Sequence, residues 1–260
     1  MNLVVSAGVW LVAIVLLLAS LPVLAGVLLF RGRGDPGRRL AGRIFHGLGA
    51  LVARLVPYWD FGVEGAARIE PGRGCVAVCN HESDADVFLV ALLPHDLKWL
   101  SKVSIYRLPV MGWAMRLAGD VPVVRGDRES GAAALDSCRV WLERGVSVVI
   151  FPEGTRSRSL ELLPFREGAF RLAVDTGAPI LPLVLAGTRE AMPPGSILFR
   201  PARARLKVLE PFETRGLGEA DVPALADRVR ARMAEARAAL RAELGLPAAE
   251  SPATAPPRRA

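Results

Sequence analysis

An uncharged N-terminus sets the strongest limit on what this chain can fold into. From Asn2 to Phe30 no side chain carries a charge, and Leu, Val and Ala dominate the run. As a helix, at a rise of about 1.5 Å per residue, it would reach roughly 40 Å, which exceeds a hydrocarbon core of about 30 Å. We therefore expect a single membrane-anchoring helix. A break at Pro22 or Gly26 would give the alternative, a re-entrant hairpin.

Positive charge follows this apolar run instead of preceding it. The basic residues are Arg31, Arg33, Arg38 and Arg39. A cleavable signal peptide would need basic residues before the apolar run, so an anchor is the better interpretation. By the positive-inside rule the arginines hold the rest of the chain in the cytoplasm. The sequence thus predicts an anchor with a basic flank over residues 1–40, at the cytoplasmic membrane.

Composition limits the class of protein and its partners. The chain has 260 residues, of which 52% are apolar and 23% charged, enough for one full domain and unlike a disordered protein. Its net charge of +7 indicates anionic membrane lipids as partners. No nucleic-acid recognition motif is present, so no nucleic-acid partner is expected. Cys75, Cys79 and Cys138 are odd in number and lie in apolar surroundings, which indicates reduced core residues.

Hydrophobic periodicity divides the rest of the chain into helices and strands. Residues 41–57 have the spacing of an amphipathic helix, which could lie at the membrane interface or pack against the domain. The domain proper should cover residues 58–245, and the Pro- and Ala-rich residues 246–260 should form a disordered tail. Predicted strands are 74–79, 97–102, 121–124, 146–151, 179–185 and, at a sheet edge, 203–209; predicted helices are 86–93, 109–118, 132–144, 166–176 and 221–244. This alternation predicts an α/β fold with a mixed, mostly parallel sheet covered by helices.

The string NHESDAD, residues 80–86, contains a candidate base and a candidate acid. On a straight helix, at about 100° per residue, His81 and Asp86 would point apart. They meet if His81 lies in the turn after the first strand and Asp86 in the following helix, with Ser83 as a possible N-cap. Asp86 would then fix the imidazole tautomer and leave the other nitrogen to accept a hydroxyl proton. A histidine that caps a helix among surface carboxylates is the alternative, and Asp84 is expected to be a bystander.

The string FPEGTRS, residues 151–157, has the composition of an anion-binding turn. Gly154 lets backbone N–H groups approach an anion, and the planar fork of Arg156 can hold a phosphate. Glu153 would be unusual in a pure anion site, but it could orient Arg156 or a substrate hydroxyl. The alternative is a strand-to-loop turn with a solvated salt bridge. No second His or Cys lies at ligand spacing near His81, so no metal site is expected.

Four blocks in order make the chain resemble the membrane-bound glycerolipid acyltransferases, and most closely the 1-acyl-sn-glycerol-3-phosphate acyltransferases. NHESDAD matches the family's NHx4D block and FPEGTRS its phosphate-binding block, while residues 102–128 and 178–187 resemble the second and fourth blocks. The resemblance implies that His81 is the general base and Asp86 its orienting partner. The substrate-binding residues it implies are Lys102, Arg125, Glu153, Gly154, Thr155 and Arg156.

The resemblance also implies a reaction. An acyl group would pass from acyl-CoA or acyl carrier protein to the sn-2 hydroxyl of lyso-phosphatidic acid, giving phosphatidic acid in phospholipid synthesis, with no cofactor besides the donor. Three alternatives stay open: the same chemistry on glycerol 3-phosphate or another lyso-lipid, hydrolysis of a thioester or lipid, and non-catalytic lipid binding. Glu82 stands where many relatives carry Gln, which adds a negative charge beside His81 and leaves the substrate preference open.

Overall fold

A single sheet lies at the centre of the computed structural model, which describes residues 2–157 and 160–247. The strands are β1 (Trp59–Glu64), β2 (Val76–Cys79), β3 (Leu97–Lys102), β4 (Val121–Val123), β5 (Ser147–Ile150), β6 (Ile180–Ala186) and β7 (Ala202–Val208). Their order across the sheet is β1-β7-β6-β2-β5-β3-β4, and all neighbours are parallel except β6 and β7. The predicted mixed, mostly parallel sheet is confirmed.

Helices occupy the connections between these strands. They are α1 (Asn2–Arg31), α2 (Arg39–Leu55), α3 (Asp86–Val90), α4 (Val103–Tyr106), α5 (Met111–Ala118), α6 (Arg128–Glu143), α7 (Gly168–Thr176), α8 (Thr188–Ala191) and α9 (Val222–Glu243). Parallel strands need such crossover connections, because a tight turn cannot return the chain to the same end of the sheet. The helices therefore cover the sheet on both faces.

Successive residues of the central strand β2 pack on opposite faces of the sheet. Val76 and Val78 pack with residues of α6, α7 and α9 on one face. Ala77 and Cys79 pack with residues of α3 on the other. All four β2 residues are fully buried. A strand buried on both faces is apolar throughout, and this is why its sequence is a continuous apolar run. The three cysteines are free and buried, as predicted.

The N-terminal run forms one continuous helix, α1, with Pro22 inside it. The alternative of a hairpin broken at Pro22 or Gly26 is therefore not formed. Among the described residues it is the one helix long and apolar enough to cross a membrane. Its N-terminal half is attached to the domain, since Trp10 Nε1 donates to the carbonyl of Ile197 (2.8 Å) and Ser6 Oγ accepts from the backbone N–H of Phe199 (2.9 Å).

The amphipathic helix α2 packs against the domain, which was one of its two predicted locations. It contacts α1, α3 and α5. At its N-terminal end Arg39 and Arg43 both donate to the carboxylate of Asp96, at 3.2 and 2.6 Å. Further along, a Cβ added to Gly42 would lie 2.9 Å from the Nζ atom of Lys98, so glycine permits the close approach of helix and sheet. These contacts fix α2 on the strand β3 side of the molecule.

Three of the predicted local structures are wrong. The segment predicted as an edge strand, 203–209, is β7, and β7 lies between β6 and β1. The edge strands are β1 and β4, and β1 was not predicted because WDFGVE mixes charges with a glycine. Ala85, not Ser83, holds the N-cap position of α3. Helix α6 begins earlier than predicted, at Arg128, because the side chain of Asp127 caps it. The predicted tail, residues 246–260, lies almost wholly outside the described residues.

Candidate active site

Both motif strings lie at one edge of the sheet. NHESDAD follows the carboxyl end of β2 and FPEGTRS follows the carboxyl end of β5, and these two strands are parallel neighbours. Lys102 ends β3, and Arg125 comes just after β4. Ligands of open α/β sheets bind beyond the carboxyl ends of the strands. The topology thus brings to one place residues that are far apart along the chain.

His81 and Asp86 form a hydrogen-bonded pair. The Nδ1 atom of His81 lies 2.7 Å from Oδ2 of Asp86, a carboxylate with no solvent exposure. Oδ2 also accepts from the backbone N–H groups of Glu82 (2.8 Å) and Ser83 (3.1 Å). Oδ1 accepts from the hydroxyl of Thr188 at 2.5 Å. Because the carboxylate accepts from Nδ1–H, the imidazole presents an unprotonated Nε2, the form that a general base needs.

Backbone hydrogen bonds join the two motif loops at His81. The His81 N–H donates to Oε1 of Glu153 (2.9 Å), and the His81 carbonyl accepts from the N–H of Ser157 (2.9 Å). The Oε2 atom of Glu153 accepts from the N–H of Leu163 (2.9 Å). The buried carboxylate of Glu153 thus positions the backbone of both loops, and its part in orienting Arg156 or a substrate hydroxyl stays a prediction. Burial raises the pKa of Glu153, and the two backbone donors oppose that rise.

Ring packing fixes the plane of the imidazole. The ring of Phe151, the first residue of FPEGTRS, stacks on His81 with centroids 4.3 Å apart and an angle of 26° between the planes. Before His81, the side-chain amide of Asn80 exchanges two hydrogen bonds with the backbone of Leu185 in β6, at 2.7 and 3.1 Å. Asn80 thereby prolongs the pairing of β2 with β6 past the end of the strand. These contacts hold the imidazole of His81 rigidly.

Three guanidinium groups, those of Arg125, Arg156 and Arg166, influence one another at the same edge of the sheet. The pKa of Arg125 is lowered, first by desolvation and then by the positive charges of Arg156 and Arg166. Such mutual repulsion is relieved by an anion between the groups. Gly154, at φ +69°, makes the arrangement possible, because a Cβ there would come within 2.7 Å of the Arg166 guanidinium. Gly154 therefore permits the close approach of Arg166, and the backbone contact with an anion stays a prediction.

The expected bystander Asp84 has a contact in the site. It forms an ion pair with Arg156, and the two side chains are 55% and 38% exposed. An exposed pair of this kind contributes about 1 kcal/mol or less. A phosphate monoester, with close to two negative charges, competes effectively for the same guanidinium. Asp84 thus holds Arg156 close to the NHESDAD loop.

Two other predicted substrate-binding residues, Lys102 and Thr155, are exposed at the carboxyl edge of the sheet. Lys102 is exposed and stands in register with Val123 of β4, on the side from which Arg125 emerges. Thr155 is exposed in the turn after β5. Their part in substrate binding stays a prediction. Among the described residues no group of three or more His, Cys, Asp and Glu side chains is arranged to hold a metal ion.

Comparison with known proteins identifies the family. A family model described as acyltransferase matches residues 60–186, which include the His81–Asp86 pair and the FPEGTRS turn. Residues 60–186 of the chain therefore belong to this acyltransferase family. The resemblance drawn from the four sequence blocks is confirmed.

The relatives of this acyltransferase carry a more specific name. It is 35% identical over 211 residues to a chloroplastic 1-acyl-sn-glycerol-3-phosphate acyltransferase (LPAT1) of Arabidopsis thaliana, covering 80% of this chain and 56% of that protein. A chloroplastic 1-acyl-sn-glycerol-3-phosphate acyltransferase of Brassica napus (BAT2) is 39% identical over 143 residues, 55% of this chain and 42% of that protein. The chain spans about half the length of these curated relatives.

A solved structure shares the fold of this acyltransferase. The crystal structure of the 1-acyl-sn-glycerophosphate (LPA) acyltransferase PlsC from Thermotoga maritima is 27% identical and superposes with a TM-score of 0.72, covering 90% of this chain and 95% of that one. The similarity therefore extends over the whole sheet and its helices, beyond the residues that the family model matches. It confirms the predicted fold class.

Three residues that lie at the site were not predicted from the sequence. Thr188 begins α8, just after β6, and no local pattern marks it as a donor to Asp86. Arg166 lies beyond FPEGTRS, and only the return of the chain toward Gly154 brings it near. Arg237 lies in α9 and reaches Glu82. Thr188 follows the end of β6, a parallel strand next to β2. This position is the one signal by which Thr188 could have been predicted.

Proposed function

We propose that this acyltransferase transfers an acyl group from acyl-CoA or acyl carrier protein to the sn-2 hydroxyl of lyso-phosphatidic acid, forming phosphatidic acid for phospholipid synthesis. One observation carries the proposal: the loop that holds the His81–Asp86 pair is tied through Asp84 to Arg156, and Arg156 and Arg166 lie close enough to Arg125 to lower its pKa. The pair suits activation of a hydroxyl, and the guanidinium groups suit a phosphate. The names of the relatives support lyso-phosphatidic acid as the acceptor.

The chemical steps follow from the state of the imidazole. Nε2 of His81 accepts the proton of the sn-2 hydroxyl while the hydroxyl oxygen bonds to the thioester carbonyl carbon. The resulting tetrahedral intermediate collapses, the carbon–sulfur bond breaks, and the imidazolium returns the proton to the leaving sulfur. Asp86 stabilises the imidazolium in between. General base catalysis of this kind contributes about 10²- to 10⁴-fold to the rate. Neither a metal nor a covalent acyl-enzyme is required.

The guanidinium cluster contributes by positioning the acceptor. Binding of the phosphate by Arg156 and its neighbours holds the acceptor by one end, so that its free hydroxyl is presented to His81. Such orientation converts a bimolecular encounter into a nearly unimolecular step. The same contacts favour acceptors with a phosphate monoester over those whose phosphate is esterified twice, since the second ester removes charge and adds bulk.

Membrane attachment is the second part of the proposal. We infer that α1 anchors the protein in the cytoplasmic membrane, with the catalytic domain on the cytoplasmic side. The large side chains that α1 leaves exposed are apolar, among them Leu11, Ile14 and Leu18. The arginines that follow it favour the cytoplasmic side by the positive-inside rule. Acceptor and product are amphiphiles of the leaflet, so an anchored domain meets them without extracting them into water.

The test is acyl transfer by the full-length protein, purified in detergent, with labelled acyl-CoA and acyl carrier protein as donors. The acceptors are lyso-phosphatidic acid, glycerol 3-phosphate, lyso-phosphatidylcholine and lyso-phosphatidylethanolamine. We expect phosphatidic acid as the main product, and at least a 10³-fold loss of turnover in His81→Ala, which removes the general base. His95→Ala is the matched control; His95 binds Ser147 outside the site, so its removal should leave turnover near that of the wild type.

Other outcomes would overturn parts of the proposal. Preferential transfer to glycerol 3-phosphate or to a diester lyso-lipid would keep the chemistry and refute the acceptor. Release of free fatty acid at the same rate with and without acceptor would show a hydrolase. Turnover unchanged in His81→Ala would refute the mechanism itself.

A further inference from the structure

A buried ion pair joins the catalytic loop to the C-terminal helix. The Oε2 atom of Glu82, the residue next to His81, lies 2.6 Å from Nη2 of Arg237 in α9. The two side chains are 1% and 5% exposed. The family model ends at residue 186, well before α9, so the positive charge comes from outside the matched acyltransferase segment.

Arg237 compensates for an excess of negative charge around His81. Three carboxylates surround His81, and all are almost completely buried: Glu82, Asp86 and Glu153. Uncompensated charges in such surroundings cost several kcal/mol each. The influence of Arg237 extends past its direct partner, because its charge also lowers the pKa of Glu153 against the rise caused by burial. One guanidinium thus stabilises more than one acid of the site.

A hydroxyl group links the ion pair to the catalytic pair. Oγ1 of Thr188 lies 3.1 Å from Oε1 of Glu82 and 2.5 Å from Oδ1 of Asp86. A hydroxyl has only one proton to donate, so the two carboxylates compete for it. With Arg237 satisfying Glu82, the proton goes to Asp86, the acid that orients His81. If Arg237 were absent, Glu82 would draw on the same hydroxyl.

Arg237 also touches the second motif loop. Its Nη1 atom donates to the carbonyl of Leu160, shortly after FPEGTRS. The same side chain therefore contacts both motif regions: Glu82 inside NHESDAD, and Leu160 a few residues after FPEGTRS. Arg241, one turn further along α9, is equally buried but pairs with Glu190 of α8 instead. It provides a matched comparison on the same helix.

We propose that Arg237 is a positioning residue for acyl transfer: by neutralising Glu82 it commits the Thr188 hydroxyl to Asp86 and so fixes the His81 imidazole. This inference rests on the proposed acyl-transfer reaction for its readout. It assigns to the last helix of the domain a part in catalysis that none of the four motif blocks contains. Arg237 itself touches no reacting atom.

The test compares Arg237→Gln, Glu82→Gln and the double variant in the full-length protein, with kcat and both KM values measured. Arg237→Gln should lower kcat about tenfold to a hundredfold, the effect of losing one or two strong interactions between side chains. The KM values for donor and acceptor should stay within about twofold of those of the wild type. The double variant replaces the ion pair with two neutral amides. It should recover most of the lost kcat, because no unpaired carboxylate remains to compete for Thr188.

Two further variants separate positioning from general stabilisation. Arg241→Gln removes an equally buried guanidinium and should lower the thermal midpoint while leaving kcat near wild type. Arg237→Lys keeps the charge and should retain more kcat than Arg237→Gln. If the glutamine variant fails to fold, the kcat of the double variant relative to the wild type decides the matter. Wild-type kcat in Arg237→Gln, a double variant no better than it, or an equal loss of kcat in Arg241→Gln would each refute the proposal.

These ratios are independent of the acceptor. If the wild type showed His81-dependent transfer to another lyso-lipid, the proposed acceptor would fail, while the ratio of variant to wild type would still test Arg237. If the wild type transferred to lyso-phosphatidic acid and Arg237→Gln were fully active, the inference alone would fail. An enzyme without His81-dependent turnover would refute both.

Discussion

At the scale of single residues, Asp86 has the most constrained environment in the site. Its carboxylate accepts from an imidazole, two backbone N–H groups and the Thr188 hydroxyl, and it is fully buried. Together these donors leave the carboxylate no freedom to turn. The orientation of His81 is therefore set by atoms that never touch the substrate.

Asp86→Asn should keep the shape of the site and lose the negative charge. Because Nδ1–H and two backbone N–H groups converge on the Oδ2 position, the amide oxygen takes that position and the NH₂ group faces the Thr188 hydroxyl, so a neutral amide meets the imidazolium. We expect kcat to fall by about 10- to 100-fold with little change in either KM, the effect of losing a hydrogen bond to a charged group. Asp136→Asn, on the exposed face of α6, is the control for loss of a carboxylate. A fall of less than tenfold in Asp86→Asn would contradict the assigned role.

Arg166→Gln tests the guanidinium cluster. Loss of a charge-assisted contact worth about 1.5 kcal/mol should raise the KM for lyso-phosphatidic acid about tenfold and leave the KM for the acyl donor unchanged. The control is Arg139→Gln, which removes an exposed guanidinium that pairs with Asp175. Steady-state kinetics with varied acceptor gives both constants. Equal changes in the two KM values would show that Arg166 acts on the fold instead of on the phosphate.

The residue scale also shows which site members a sequence can reveal. His81 and Asp86 are close in sequence, so a turn followed by a helix was enough to predict their contact, and the structure agrees. Arg166 and Thr188 were not predicted, because neither lies in a string with a chemical pattern. Their positions depend on where the chain returns to the sheet edge, which local sequence does not encode.

At the scale of elements, the junction between β6 and α8 decides where Thr188 stands. Gly187 occupies it with φ +95°, and a Cβ there would lie 2.1 Å from the carbonyl oxygen of Arg203 in β7. The strand can therefore pass close to β7 and still turn at once into α8. A side chain at this position would push the hydroxyl of Thr188 away from Asp86.

Gly187→Ala should damage both stability and catalysis. A left-handed conformation costs a residue with a Cβ about 1 kcal/mol or more, and the clash with the neighbouring strand adds to it, so we expect a loss of about 2–4 kcal/mol in unfolding free energy. Gly131→Ala in α6, where a Cβ meets nothing within 4 Å, should instead stabilise by about 0.5–1 kcal/mol. Denaturant titration measures the unfolding free energy of both variants. A Gly187→Ala variant as stable as the wild type would contradict the crowding at this junction.

The placement of β7 shows why a strand's neighbours are harder to predict than the strand itself. Its alternation of basic and apolar residues was recognised, but charge suggested an edge. In the structure Arg203 and Arg205 pair with Asp60 of β1, so the charges of an interior strand are satisfied by its neighbour. Pairing partners come from distant sequence, and a six-residue strand with mixed composition, β1, gives little signal.

At the scale of the whole molecule, α1 both attaches to the domain and leaves an apolar surface uncovered. Its buried residues, among them Val9 and Leu24, contact the domain and α2, while large side chains such as Leu11 and Leu18 are 64% and 50% exposed. An apolar surface of this size marks a site of interaction. A lipid bilayer matches its length and its lack of charge.

Leu18→Arg tests membrane attachment directly. A charge near the middle of a spanning helix costs about 3 kcal/mol, so we expect about a hundredfold weaker partitioning into vesicles containing anionic lipid. Val140→Arg places the same charge on an exposed position of α6 and should partition like the wild type. Vesicle co-sedimentation measures the partitioning, and circular dichroism checks folding. Equal partitioning of the two variants would show that α1 lies outside the bilayer.

The sequence by itself determined most of the elements and the His81–Asp86 pair, because both arise from interactions between near neighbours: apolar periodicity, a glycine turn, and a histidine shortly before an aspartate. Only the tertiary structure decided the rest of the site. It placed Thr188 on Asp86, gathered Arg166 with Arg125 and Arg156, and brought Arg237 of the last helix to Glu82. These contacts join segments far apart in the chain, and they exist because parallel strands deliver their carboxyl ends to a single edge of the sheet.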